Sequence, residues 1–241
     1  MPKTSEPILP AKEYSLAEQK LGDMATTIEF TMISIIAGLM LIPLIDAAAP
    51  LIYGLRVEYW IYIVVQLAAI MFFWTALISH ALTFVRWPID IGHNLLYLIL
   101  FSLVGIEMHY ISEPRAFYPM FTATAVVSAV LVAYDLSLVR RLRKGAQGAA
   151  AELYDAAYSR QLMLLYLTPG GLLITLIMSG LILAFPDVFV GQHMHVVLGF
   201  GVLAYTVFLL TREIRQLSGL RGKILSMTAE QMAKGQNKTS D

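Results

Sequence analysis

The chain contains no cysteine. That excludes disulfides, thiolate metal sites, iron–sulfur clusters and cysteine nucleophiles together. It is also poor in charge. Charged residues make up 14% of the sequence, against about 25% in an average soluble domain. Formal net charge is +0, so no basic field marks it as a nucleic-acid partner. A Gly-rich phosphate loop, an H-E-x-x-H pair and a G-x-S-x-G elbow are all missing. So is a TVGYG-like filter. No lysine interrupts an apolar run, which argues against a retinal Schiff base. The sequence therefore carries no enzymatic signature.

Apolar residues, in contrast, are abundant. They form 58% of the 241 residues, and mean hydropathy is +0.68. They cluster into runs of about 20 residues, the length needed to cross a bilayer core. Six runs emerge: roughly Phe30–Tyr53, Tyr59–Val85, Pro88–Ile111, Phe117–Val139, Leu162–Pro186 and His193–Thr211. The expected fold is an all-α, six-helix polytopic membrane bundle. Its parts would be a cytoplasmic tail over 1–27, a membrane domain over 28–215 and a second cytoplasmic tail over 216–241.

Lysine and arginine set the expected orientation. They gather in the two tails, beside Arg86, and in the fourth loop at Arg140, Arg141, Arg143, Lys144 and Arg160. The opposite side has only Arg56 and Arg115. Both termini are thus expected in the cytoplasm. Short loops and the missing apolar leader point to a bacterial inner membrane. The alanine-rich part of the fourth loop, with Leu153, Tyr154 and Tyr158, reads as a short surface helix.

Polar groups inside apolar runs are costly and so informative. An outer layer holds Asp46, Glu107, His109, Glu113, Asp187, His193 and His195. Imidazoles with carboxylates suit a metal such as zinc, and two histidines from different helices suit a b-type haem. His109 with His193 or His195 is the candidate ligand set. Glu107 and His109 diverge by about 200° on a helix, as do His193 and His195. An inner layer holds His80, Arg86, Asp90, His93, Asn94, Tyr97 and Asp135. His80, Asn94 and Asp135 form the expected polar clamp between the second, third and fourth helices.

The first run, "FTMISIIAGLMLIPLIDAAAP", carries Thr31, Ser34, Ala37 and Gly38 on its inner half. Pro43 can kink it. Ser34, Leu41 and Ile45 are candidate pore-lining positions, with Leu41 or Ile45 as an apolar constriction. "TPGGLL" at 168–173 reads as a break or packing feature in the fifth run.

Glu29, Ala37, Asp46 and Pro50, with "FFWTALISH" in the second run and the Asn94-led third run followed by Glu113, resemble the endolysosomal potassium channel family called transmembrane protein 175. Its Phe-Ser-Asp hallmark is replaced here by "FTMIS". The resemblance implies a six-helix protomer, a homo-oligomer such as a tetramer, and a first helix at the pore. The leading expectation is an ion channel or transporter for monovalent cations. The alternatives are a metal- or haem-binding membrane protein in redox, sensing or assembly, and an accessory subunit of a larger membrane complex.

Overall fold

The computed structural model describes residues 11–83 and 91–237. They form six long helices: α1 (Ala11–Tyr53), α2 (Trp60–Thr83), α3 (Ile91–His109), α4 (Pro114–Arg143), α5 (Ala149–Ala184) and α6 (His195–Asn237). A 3₁₀ turn at Val57–Tyr59 and a π turn at Asp187–Gly191 fill two of the connections. No strand occurs among the described residues. Five helical stretches are long and apolar enough to cross a membrane: Ile33–Tyr53, Val57–Leu82, Pro114–Arg143, Ala151–Ala184 and His195–Gly222. The remaining helix, α3, has 19 residues.

Helix ends and membrane edges do not coincide. α1 begins at Ala11, inside the stretch assigned to the N-terminal tail, and α6 runs on to Asn237 through the C-terminal tail. Neither stretch contains a proline after Ala11 or before Asn237 that would stop the helix at the bilayer edge. The alanine-rich part of the fourth loop is likewise the first turns of α5, which starts at Ala149. Thr168–Leu173 lies within α5, which continues unbroken through Pro169. The glycine there serves packing: a Cβ on Gly171 would lie 2.9 Å from Tyr205 Cε1 on α6.

The short connections make sequential helices antiparallel neighbours. The starts of α2, α4 and α6 therefore meet at one end of the bundle, called here the far end. The α2–α3 and α4–α5 connections lie at the other, the near end. α4 packs chiefly on α5, and α2 chiefly on α6, while α5 and α6 touch sparingly. α3 joins α4, and α1 leans on α2 and α3. The main core runs from the far end inward around Tyr62, Val65, Val104, Met108, Phe117 and Ile182.

Candidate functional site

Three polar layers lie inside this apolar frame. At the far end, the Tyr62 hydroxyl and His195 Nδ1 are 2.7 Å apart, and the Tyr118 hydroxyl donates to the His195 carbonyl at 2.9 Å. The imidazole lies nearly parallel to the Tyr59 and Tyr62 rings. His195 is fully buried, and its Nε2 has no hydrogen-bond partner among the described residues. His193 adopts φ of 58° just before α6, which turns its side chain into solvent. The two rings meet at 70°. His109 is also exposed, its Nδ1 3.0 Å from the Gly105 carbonyl oxygen of its own helix. Asp46, Glu113 and Asp187 are exposed as well. Of the outer layer, only Glu107 and His195 point into the protein.

The middle layer centres on Glu107, 1% exposed. Gln66 Nε2 on α2 donates to Oε1. Thr124 Oγ1 on α4 donates to Oε2 at 3.0 Å. Glu107 lies in the last turn of α3, which ends at His109, while Gln66 and Thr124 sit six and ten residues into their helices, roughly 9 and 15 Å along them at 1.5 Å per residue. Among the described residues, no basic side chain pairs with Glu107. Glu107 lines a cavity of about 140 Å³ between the α4–α5 pair and the α2–α6 pair. Phe72, Phe73, Phe121, Leu172, Val202 and Tyr205 supply apolar wall.

The near layer joins His80, His93 and Asp135, all at least 95% buried. His93 Nδ1 lies 2.7 Å from Asp135 Oδ1. The two imidazoles are almost parallel, with centroids 4.5 Å apart, and Tyr97 packs its edge on His93. One ligand atom from each of the three residues falls within 4.8 Å of the others. This is the one such group of three found among the described residues. Nearby, Arg160 Nη2 meets Glu213 Oε2 at 2.8 Å and donates to the Ala76 carbonyl at 3.3 Å.

Of the three residues expected as a clamp, His80 and Asp135 lie together with His93, and Asn94 is exposed. Positions 93 and 94 are about 100° apart on the helix, so one faces the bundle and the other leaves it. The candidate ligands His109 and His193 remain on the surface, and the metal-capable cluster lies at the opposite end. The two-histidine haem site considered for the outer histidines would need imidazoles on opposite faces of the macrocycle. His80 and His93 touch each other, which leaves no space for a porphyrin between them. Arg86 and Asp90 lie outside the described residues. Ser34, Leu41 and Ile45 are exposed along one side of α1.

Gln66, Thr124 and the Arg160–Glu213 pair escaped sequence reading. Gln66 had a usable signal, since it interrupts the apolar run "YIVVQLAAI". Thr124 and Glu213 did not stand out, being a small hydroxyl in a helix and an acid between the arginines Arg212 and Arg215.

The helices and their buried polar layers define an all-helical protein with the makeup of a multi-pass membrane protein. No protein-family model, curated protein or solved structure matches the chain.

Proposed function

We propose that the chain is a membrane transport protein for a monovalent cation, and that Glu107 is its binding carboxylate. The observation that carries this reading is a buried acid, without a basic partner among the described residues, on the wall of a cavity between two helix pairs. A carboxyl in such a place must keep its proton or meet a cation from outside. Two helix pairs that pack well internally and sparingly on each other are suited to rock around a central site. The path on this reading runs through the bundle rather than along α1. A homo-oligomer is compatible with it and not required by it.

Proteoliposome flux under gradients of potassium, sodium, protons and a small alkylammonium is the test. Glu107→Gln keeps the shape and removes the charge, so it should abolish most of the flux. Glu113→Gln, at an exposed position, should leave it intact. Wild-type rates equal to those of protein-free liposomes under every gradient would sink the proposal.

A second reading takes His80, His93 and Asp135 as a metal site. Two imidazoles and a carboxylate are a donor set for zinc or a similar divalent ion, with a further position open. Tetrahedral coordination needs donors roughly 3.3 Å apart for bonds of about 2.0 Å. Elemental analysis of purified protein should then find one metal ion per chain, lost in His93→Ala and after chelation. A metal-free wild type that also fails to take up zinc would remove this reading.

A further inference from the structure

The geometry points to a small organic ammonium ion, with a benzene-sized apolar body, as the ligand of the Glu107 cavity. This assignment rests on Glu107 being the anchor of the transport site, and it narrows what that site accepts.

The cavity wall carries hydroxyls whose hydrogens are taken up by backbone, so toward a ligand they can only accept. Ser128 Oγ donates to the Thr124 carbonyl at 2.8 Å. Thr168 Oγ1 donates to the Leu164 carbonyl at 2.7 Å, Thr175 Oγ1 to Leu172 at 2.9 Å and Thr206 Oγ1 to Val202 at 2.9 Å. The Tyr205 hydroxyl donates to the Leu167 carbonyl at 3.0 Å. Each hydroxyl hydrogen is thus committed to backbone. The hydroxyl oxygens remain as neutral acceptors, and the one charged side chain on the wall, among the described residues, is Glu107. Its two oxygens accept one hydrogen bond each and offer about four lone-pair sites in all.

A bare alkali ion leaves most of such a wall unused, since the greater part of the lining is aromatic and aliphatic. Selective sites for it replace the hydration shell with a ring of carbonyl oxygens, and the carbonyls here are held inside helices. An ammonium head needs less. It can donate to the free lone pairs of one carboxylate, while its body covers the rest of the wall. Phe72, Phe73, Phe121 and Tyr205 add ring surface that attracts a cation and packs on apolar groups. Size supports the same class. A cavity of about 150 Å³ lined by apolar groups takes up benzene, and this one measures about 140 Å³.

The test uses the purified full chain in lipid nanodiscs and equilibrium dialysis. Benzylammonium is the probe, with toluene, benzoate and potassium as comparators. One benzylammonium should bind per chain, benzoate should not bind, and toluene should bind about tenfold or more weakly, because it lacks the charge-assisted hydrogen bond. Glu107→Gln should lower the benzylammonium affinity by a similar factor. Ala125→Leu, which fills the cavity from α4, should abolish binding of both aromatic probes while leaving the unfolding temperature no lower than wild type. Folding of each variant is checked by that temperature and by its elution profile. Failure of benzylammonium to bind folded wild type, with Glu107-dependent potassium or proton flux intact, overturns the ligand class and spares the transport reading. Loss of both binding and flux removes the two together.

Discussion

At the scale of single residues, the near-end ion pair gives the sharpest energetic contrast. The Glu213 side chain is 1% exposed and that of Arg160 10%. Arg160 also contacts Glu213 through Nε, at 2.9 Å to Oε2. Removing one partner from a buried pair leaves a bare charge and costs about 3–5 kcal/mol, whereas replacing both with apolar groups of similar size is often neutral. Arg160→Ala should therefore lower the thermal unfolding midpoint in detergent far more than the double change Arg160→Met with Glu213→Leu. Equal losses in the two proteins would mean that the pair is exposed in the working protein. The sequence displayed Arg160 only as an orientation mark, because its partner lies 53 positions away. Glu107 shows the same limit differently. Its spacing from His109 established that the two point apart, but which one faces inward depends on where α2 and α4 sit.

At the scale of helices, glycine decides how closely they approach. A Cβ on Gly199 of α6 would lie 3.0 Å from Ile61 Cγ1 and Cγ2 on α2, while Gly180 on α5 has nothing within 4 Å. Small residues let helix backbones come together where no hydrophobic force between helices exists in lipid. Gly199→Ala should then cost about 1–3 kcal/mol through overpacking. Gly180→Ala should be neutral or gain about 0.5–1 kcal/mol from helix propensity. Unfolding of the two variants side by side in the same detergent decides this, and a loss at Gly180 that matches Gly199 would refute the contact. Hydropathy revealed the helices readily, because burial in lipid demands long apolar runs whatever the tertiary fold. It did not reveal helix ends, since α1 and α6 continue past the apolar stretch into polar sequence. Nor did it reveal which helices pair, because α2 meets α6 through contacts far apart in the chain.

At the scale of the whole molecule, the remaining choice is where a cation path would run. One place is the cavity between the α4–α5 and α2–α6 pairs, inside a single protomer. The other is an axis shared by several copies, with Ser34, Leu41 and Ile45 of α1 facing it. Those three side chains are exposed in the single chain, a condition that lipid or a second copy could satisfy equally. The cysteine-free sequence is itself a background for separating the two. Single cysteines at Ala125 and Thr175 would report on the cavity, since both residues line it. Single cysteines at Ser34, Leu41 and Ile45 would report on α1. A small cationic thiol reagent is drawn to a path that conducts cations, and the group it leaves behind obstructs that path. Flux through Ala125→Cys and Thr175→Cys proteins should fall to near the protein-free rate after modification, and excess benzylammonium should slow the reaction. The three α1 variants should keep most of their flux after equal labelling, as measured by mass spectrometry. Block at α1 with an unaffected cavity would reverse the assignment and move the path to an oligomer axis. The experiment separates the two because one labelled protomer would block only its own cavity, whereas one labelled α1 at a shared axis would silence every copy around it. Mixing labelled and unlabelled chains before reconstitution should accordingly give flux that falls in direct proportion to the labelled fraction.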